Sequence, residues 1–233
     1  YYTGGSHKIG SAGDFVTAPS LTPLFGLTLA RQIEPVLRQS AGNVYEFGAG
    51  TGELAVSLLA GLQPDALQHY YIMDVSPELK QRQLALIHEK TPQHADKVVF
   101  LDSLPDAFDG VIIGNEVLDA MASEVMRWTE TGIEQMGVSI VDEQFTWSQR
   151  PVSDERILTE ALRIQPDKQP YTSELHLNQT AFIATLAQKL TRGAIIMIDY
   201  GFDEAQYYHP QRSMGTLIGH YRHHVVDDPF FWP

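Results

Sequence analysis

A glycine-rich stretch constrains the fold of this chain more than any other feature: Tyr45-Glu46-Phe47-Gly48-Ala49-Gly50-Thr51-Gly52-Glu53-Leu54. An apolar run leads into this stretch, and a helix-like run, Leu54-Ala55-Val56-Ser57-Leu58-Leu59, follows it. Glycine permits positive φ and lets a ligand approach backbone N–H groups, and the positive end of the next helix points at the same place. The pattern predicts a strand, a tight ligand-binding loop and a helix.

The spacing of the glycines indicates the class of ligand. A dinucleotide-binding loop has glycine at its first, third and sixth positions, and the sixth position here is Glu53. Gly48, Gly50 and Gly52 occupy the first, third and fifth positions, which suits the S-adenosylmethionine loop of Rossmann-like methyltransferases better. Considered by itself, the loop leaves open the alternative of a glycine-rich turn without a ligand.

Composition excludes several classes of function. The chain has 16 Lys and Arg residues against 29 Asp and Glu residues, and its formal charge of −13 repels nucleic-acid backbones and anionic membranes. The absence of cysteine excludes disulfides, cysteine nucleophiles and thiolate metal sites. No apolar run approaches the roughly 18 residues of a membrane helix. We therefore expect a soluble protein without a nucleic-acid partner or membrane insertion.

Five short apolar runs, mostly separated by helix-like segments, predict the main sheet. They lie at residues 43–47, 69–74, 97–101, 110–115 and 194–199. Strands that alternate with helices predict an α/β fold with a Rossmann-like, doubly wound, mostly parallel sheet. Helical spacing predicts helices at residues 23–37, 77–90 and 180–190. Residues 1–23, rich in Gly, Ser, Thr and Pro, are predicted to form an irregular arm.

Residues 123–170 interrupt this alternation. Strand-like runs at 125–129, 135–141 and 144–149 predict a small inserted antiparallel β meander. Such an insertion covers a cleft, binds a partner or only adds packing, and the sequence leaves these three roles open. The predicted organisation has four parts: an N-terminal arm and helix at 1–42, the first part of a cofactor-binding core at 43–122, the inserted meander and a helix at 123–170, and the second part of the core, C-terminally incomplete, at 171–233.

Polar residues close the predicted strands, at the edge where open α/β sheets bind their ligands. Asp74 ends the second strand and is predicted to accept hydrogen bonds from ribose hydroxyls, with helix capping as the alternative. Asp102 ends the third strand and is predicted to accept from an adenine amino group, with a role in a turn as the alternative.

The segment Asn115-Glu116-Val117-Leu118-Asp119 ends the fourth strand, where a methyl acceptor would meet the sulfonium of the donor. Methyl transfer is an in-line displacement that alignment and the exclusion of water accelerate. An amide and two carboxylates suit a cationic acceptor, and guanidinium pairs with carboxylate in a bidentate manner. The predicted catalytic residues are therefore Asn115, Glu116 and Asp119, and the alternative is that Glu116 or Asp119 caps the following helix.

Taken in order, these motifs resemble those of the MidA family of S-adenosylmethionine-dependent methyltransferases, which includes the mitochondrial complex I assembly methyltransferase. The resemblance runs nearly from end to end. It rests on these segments: Gly13-Asp14-Phe15-Val16-Thr17-Ala18-Pro19 with Phe25-Gly26, Glu46 to Gly52, Asp74-Val75-Ser76-Pro77-Glu78-Leu79 with Arg82-Gln83, Asn115-Glu116 with Asp119-Ala120, Ser173-Glu174, Ile198-Asp199-Tyr200-Gly201, and Gly215-Thr216-Leu217 with Tyr221 and His224.

The resemblance implies a protein-arginine methyltransferase whose partner is a protein substrate such as a respiratory-complex subunit. It implies a location in the cytoplasm if the chain is bacterial and in the mitochondrial matrix if the chain is eukaryotic. The cofactor-binding residues are predicted to be Glu46, Gly48, Gly50, Gly52, Asp74, Asp102 and Asn115. The residues predicted to form the arm or to contact the substrate are Gly13, Asp14, Phe15, Thr17, Pro19, Asp199 and Tyr200. For Phe15 the alternative is an anchor that holds a surface arm to the core.

The sequence departs from the family pattern at three places. Ser20 stands where the family often has Glu, Ala122 replaces a proline, and the C-terminal segment expected after Pro233 is missing. The first departure concerns an arm contact. The third departure concerns part of the acceptor pocket. We expect an internal fragment of a longer protein, because the chain begins without Met and ends in an apolar cluster.

Two other functions remain open on the sequence. One is a noncatalytic assembly or interaction module that retains the methyltransferase fold. The other is an NAD-dependent oxidoreductase, against which Glu53 argues. No metal is expected, because the spacing of the C-terminal histidines matches no known metal site: His209, His220, His223 and His224.

Overall fold

The computed structural model of the protein describes residues 17–74, 76–221, 224–226 and 228–230. Its strands are β1 Asn43–Phe47, β2 His69–Met73, β3 Val98–Leu101, β4 Phe108–Asn115, β5 Glu124–Thr129, β6 Gly132–Val141, β7 Gln144–Pro151, β8 Tyr171–Leu175, β9 Leu190–Ile198, β10 Gly219–Tyr221 and β11 His224–Val226. Its helices are α1 Ala18–Leu21, α2 Leu24–Leu37, α3 Glu53–Gly61, α4 Pro77–Lys90, α5 Glu155–Ile164, α6 Leu177–Lys189 and α7 Glu204–Tyr207, with a 3-10 helix at Pro92–Lys97. Within the described ranges, no helix combines the length and apolar character needed to cross a membrane.

The chain folds as two compact units. The first contains Tyr1–Asp119 and Ala184–Asp199, and the second contains Ala120–Ile183 and Tyr200–Pro233. The first unit holds a five-stranded parallel sheet in the order β3-β2-β1-β4-β9. The strand order changes direction between β1 and β4, and ligands bind beyond the carboxyl ends of the strands at such a point. The predicted fold class, a Rossmann-like and mostly parallel sheet, is confirmed.

The register of this sheet brings the ends of its strands to one level. Phe47, the last residue of β1, lies opposite Met73 of β2 and opposite Gly114 of β4. Asn115 of β4 in turn lies opposite Ile198 of β9. The residues that follow these strands therefore emerge side by side at the carboxyl edge.

The core of the first unit holds α3 firmly behind the glycine-rich loop. Val44, Ile72 and Val111 of the sheet are fully buried, as are Leu58 and Leu59 of α3. Burial of each such side chain stabilises the fold by roughly 1.5–3 kcal/mol. Residues of α2 belong to the same cluster, so the loop that precedes α3 is anchored by the packed helices behind it.

The second unit contains the inserted sheet, which has one strand more than the sequence predicted. The order β7-β6-β5-β8 is antiparallel throughout. The prediction assigned residues 171–233 to the Rossmann-like core, but β8 pairs with β5 instead. The physical reason is burial: Tyr171 and Leu175 are fully buried in a cluster with Met126 and Trp128, and Trp128 donates from its ring Nε1 to the carbonyl of Ala161 in α5 at 3.0 Å.

The N-terminal arm is only partly described. Residues 1–16, which include the predicted site residues Gly13, Asp14 and Phe15, lie outside the described residues. The prediction of an irregular segment up to residue 23 is wrong at its end, because Ala18–Leu21 forms one helical turn. Thr17 is its N-cap, and the Thr17 carbonyl accepts from the Ser20 amide at 3.0 Å and from the Ser20 hydroxyl at 2.7 Å.

We predict that Gly110→Ala destabilises the protein more than Gly132→Ala. Both glycines have similar positive φ values, +146° and +149°, so the backbone strain of an added Cβ is comparable. At Gly110 the Cβ would collide with the backbone carbonyl of Asn43 in β1, whereas at Gly132 nothing lies within 4 Å. The expected extra loss is about 1–3 kcal/mol in the free energy of unfolding, measured by urea denaturation. Equal losses would show that β1 and β4 tolerate the added atom.

Candidate active site

The glycine-rich loop after β1 requires glycine at three positions. Gly48, Gly50 and Gly52 have φ values of +62°, +57° and +99°, a region that strains any residue with a Cβ. The Gly48 amide donates to the Met73 carbonyl of β2 at 2.9 Å, and the Gly52 amide donates to the Ala49 carbonyl at 2.9 Å. Gly52 is the N-cap of α3. The loop therefore presents a bare backbone at the positive end of a buried helix.

Asp74 lies beside this loop and is held by two neutral donors. Its Oδ1 accepts from the Ser76 amide at 3.0 Å, and its Oδ2 accepts from Nε2 of Gln83 at 2.8 Å. Nε2 of Gln83 also donates to the Gly50 carbonyl at 2.8 Å, so one side chain joins Asp74 to the loop. The N-cap of α4 is Ser76, whose Oγ accepts from the Leu79 amide at 3.3 Å. Asp74 thus supports the turn before α4 without being its cap.

Sequence reasoning missed the role of Gln83. It placed Gln83 only within the family motif Arg82-Gln83, on the helix predicted at residues 77–90, yet the side chain is fully buried. The available signal was chemical: an amide on the apolar face of an amphipathic helix must find hydrogen-bond partners inside the protein. The sequence alone does not show that these partners are Gly50 and Asp74.

Asp102 has a different environment from Asp74. Its side chain is 90% exposed and forms an ion pair with Lys80 of α4. The hydrogen bond from Lys80 lowers the pKa of Asp102 below its ordinary value, and the positive charge of Lys80 acts in the same direction. The carboxylate that was predicted to meet an adenine amino group therefore already has a cationic partner.

Glu46 is buried within β1. Its carboxyl accepts a hydrogen bond from the Tyr70 hydroxyl of β2 at 2.7 Å, and only 1% of the residue is exposed. Burial raises the pKa of Glu46 to about 7; the bond from Tyr70 opposes this rise, and the charge of Asp74 adds to it. Glu46, one of the predicted cofactor-binding residues, therefore lies inside the sheet and just before the glycine-rich loop in the chain.

The segment Asn115–Asp119 forms a turn that Asp199 holds in place. Oδ2 of Asp199 accepts from the Leu118 amide at 2.9 Å and from the Asp119 amide at 3.0 Å. Glu116 has a φ of +56°, and its amide donates to the Ile198 carbonyl at 2.8 Å. A non-glycine residue in this conformation carries strain, which is frequent at functional sites.

The alternative role for Glu116 and Asp119 is not realised. Residues 116–121 form a bend and a turn that lead toward β5, so no helix follows that either side chain could cap. The amide Nδ2 of Asn115 lies 3.4 Å from Oε1 of Glu116, which brings two of the three predicted catalytic groups together. Asp119 is exposed.

Val117 packs this turn directly against the glycine-rich loop. A Cβ on Gly48 would lie 3.3 Å from Cγ2 of Val117, and a Cβ on Gly114 would lie 3.1 Å from the same atom. The two motifs predicted to hold donor and acceptor are therefore adjacent. Tyr200, the next residue after Asp199 in the chain, belongs to the second unit and is 72% exposed.

Comparison with known proteins identifies relatives that match most of the chain. The family described as "putative S-adenosyl-L-methionine-dependent methyltransferase" matches residues 28–233. The mitochondrial protein arginine methyltransferase NDUFAF7 of Danio rerio is 25% identical over 259 residues, which covers 95% of this chain and 58% of that protein. Its Caenorhabditis elegans homologue is 24% identical over 237 residues, covering 88% of this chain and 54% of that protein.

Two crystal structures from Burkholderia thailandensis share the fold. One, bound to S-adenosyl-homocysteine, has a TM-score of 0.92 at 43% identity and covers all of this chain and 62% of that protein. The other, a native structure, has a TM-score of 0.87 at 44% identity and covers 94% of this chain and 60% of that protein. The chain thus spans between 54% and 62% of the length of these four relatives.

We predict that Glu46 makes the stability of the protein pH-dependent near neutrality. Its folded-state pKa of about 7 lies above its ordinary value of 4.5, so the folded state binds this proton more tightly than the unfolded state. The stabilisation is complete below pH 4.5 and is lost as the pH rises to about 7. The loss is at most about 3.5 kcal/mol, because the two pKa values, 4.5 and about 7, differ by about 2.5 and one pKa unit corresponds to ~1.4 kcal/mol.

Urea denaturation of the wild type and of Glu46→Gln between pH 5 and 8 measures this effect. The amide cannot titrate, so the difference in unfolding free energy between the two proteins should change across this interval. The exposed Glu89→Gln is the matched control and should follow the wild type. A difference between wild type and Glu46→Gln that stays constant with pH would contradict the prediction.

Proposed function

Because the chain belongs to this family of S-adenosyl-L-methionine-dependent methyltransferases, we propose that it binds S-adenosylmethionine at the glycine-rich loop and methylates a protein side chain. The observation that carries the proposal is the pairing of a bare loop with an oriented carboxylate. Gly48, Gly50 and Gly52 leave the backbone open, and Asp74 is tied to that backbone through Gln83. The related structure bound to S-adenosyl-homocysteine supports the same ligand class.

The environment of Asp74 suits a ribose. Each carboxylate oxygen accepts one hydrogen bond from the described part of the chain, which leaves each with further acceptor capacity. Two adjacent ribose hydroxyls can then donate to the two oxygens at once. Both protein donors are neutral, so the negative charge of Asp74 remains available to strengthen these bonds.

The turn after β4 is the proposed acceptor side. When bound, S-adenosylmethionine supplies a methyl group activated by a sulfonium. The carboxylate of Glu116 would pair with a cationic acceptor, hold its nitrogen in line and receive the proton that this nitrogen loses. Asn115 would orient the Glu116 carboxylate, because its Nδ2 lies 3.4 Å from Oε1 of Glu116. Asp199 holds the turn by accepting hydrogen bonds from two of its backbone amides.

Arginine is the proposed acceptor residue. Both curated relatives are named as protein arginine methyltransferases, at 24–25% identity. A guanidinium also matches a carboxylate better than other side chains do, because its N–H groups form a planar fork. A respiratory-complex subunit as the substrate stays a prediction. The names of the relatives support a mitochondrial location for a eukaryotic chain, and a bacterial chain is expected in the cytoplasm.

We predict that Asp74→Asn weakens binding of S-adenosylhomocysteine by about tenfold to a hundredfold. The loss of hydrogen bonds to a charged group corresponds to roughly 1.5–3 kcal/mol. Isothermal titration calorimetry of the full-length protein measures the affinity, and NAD titrated into the wild type tests the oxidoreductase alternative. Tight NAD binding without S-adenosylhomocysteine binding would overturn the proposed function.

We predict that Glu116→Gln retains cofactor affinity but lowers methyl transfer by at least ~100-fold, the usual effect of losing a group that transfers a proton. The assay incubates full-length protein with a cell extract and labelled S-adenosylmethionine, and mass spectrometry locates the methylated residue. Glu89→Gln, which changes an exposed glutamate of α4, is the matched control.

Each outcome of this assay has a distinct meaning. Label on arginine that Glu116→Gln abolishes supports the proposal in full. Transfer to another residue would overturn the arginine assignment, and unchanged transfer would remove Glu116 from the mechanism. Cofactor binding without transfer by the wild type would favour a noncatalytic assembly module.

A further inference from the structure

Gln83 makes contacts that packing alone does not explain. Helix α4 is mostly exposed, and Gln83 is its one polar side chain that is completely buried within the described structure. Nε2 of Gln83 donates one hydrogen bond to the Gly50 carbonyl and one to Oδ2 of Asp74, both at 2.8 Å. The two acceptors belong to the two motifs that the proposed function assigns to the cofactor.

The orientation of this amide is fixed by its neighbours. Both atoms that face Nε2 are acceptors, so an exchanged amide would place Oε1 against a carbonyl and a carboxylate. The main chain is fixed as well, because a Cβ on Gly52 would lie 3.2 Å from Cα of Gln83. The side chain is thus set both by its hydrogen bonds and by the close approach of α4 to the loop.

The amide is retained at a cost in stability. Oε1 of Gln83 is buried and has no hydrogen-bond partner among the residues that the structure describes. An unsatisfied buried acceptor lowers the stability of the fold, a cost that an apolar side chain of similar shape would avoid. A residue selected only to fill this space would not need Nε2, whereas a residue that orients Asp74 does.

A second carboxylate of the same edge shows what a cationic partner does instead. Lys80, also on α4, forms an ion pair with Asp102 and lowers the pKa of that carboxyl. A cation on Asp74 would compete with ribose hydroxyls for the same oxygens. A neutral amide directs the carboxylate and leaves its charge to the ligand.

We propose that Gln83 is a positioning residue that holds the Asp74 carboxylate and the glycine-rich loop in the arrangement that receives the ribose of S-adenosylmethionine. This inference rests on the proposed function. Gln83 acts through Asp74 and Gly50, so its contribution to binding depends on the carboxylate of Asp74.

A double-mutant cycle on the full-length protein tests the inference. We expect Gln83→Met, which keeps the volume but removes Nε2, to weaken S-adenosylhomocysteine binding about tenfold. Gln83→Glu should weaken it further at pH 8, because it sets a second negative charge beside Asp74. Gln81→Ala, an exposed glutamine two residues earlier on α4, is the matched control and should bind like the wild type.

The coupling with Asp74 separates positioning from packing. In the Asp74→Asn background, Gln83→Met should cost less than twofold, because the group that it orients has lost its charge. Urea denaturation of each variant checks that the comparison concerns folded protein, and Gln83→Glu serves if Gln83→Met does not fold.

Three results would overturn the inference. Wild-type affinity in both Gln83 variants shows that the amide has no role in binding. Losses that add fully in the double mutant show that Gln83 does not act through Asp74, which overturns its role in positioning that carboxylate. A wild type that binds no S-adenosylhomocysteine removes the proposed function itself, and the inference falls with it.

Discussion

The register of β1 with its two neighbours determines where the glycine-rich loop, Asp74 and Asn115 lie. Phe47 pairs with Met73 on one side and with Gly114 on the other, so Gly48, Asp74 and Asn115 leave the sheet at the same level. Parallel strands bring only their carboxyl ends to this edge, and the strand order changes direction between β1 and β4. A slip of one residue in a pairing would turn the alternating side chains to the opposite face. Between β1 and β2 it would shift the glycine-rich loop relative to Asp74, and between β1 and β4 relative to Asn115.

Four carboxylates near this edge have four different partners, and these partners separate their roles. Glu46 is buried against Tyr70, with a pKa raised to about 7, which suits a group inside the sheet. Asp102 is paired with Lys80, and Asp199 accepts from two backbone amides of the turn after β4. Within the described residues, the donors to Asp74 are the Ser76 amide and Nε2 of Gln83, both neutral, and the carboxylate lies beside an open backbone. It therefore offers a ligand both charge and unused acceptor capacity, the combination that a ribose requires.

The sequence predicted the strands of the parallel sheet well because their apolar runs are short and are bounded by turn residues. Residues 43–47 match β1 completely, and the carboxyl ends of the other four lie within one residue of the prediction. β8 was not predicted as a strand because its sequence, Tyr-Thr-Ser-Glu-Leu, is half polar, and only its pairing with β5 makes it one. For Asp199, a role in the arm or in contacting the substrate stays a prediction. Its contacts with Leu118 and Asp119 were not predicted, because they span 80 residues of chain, a separation that no local pattern reveals.

The charge of the chain connects this edge to the proposed acceptor. A formal charge of −13 repels polyanions, and the same field attracts proteins that carry clustered basic residues. An arginine that approaches the turn after β4 would exchange its hydration for the carboxylate of Glu116. The backbone of Glu116 is already held by the bond from its amide to the Ile198 carbonyl, so little reorganisation is needed when the pair forms. Val117 packs that turn against Gly48, so the proposed acceptor nitrogen and the methyl donor would lie close to each other. The pairing of β1 with β4 therefore places the strained Glu116 next to the bare glycine backbone.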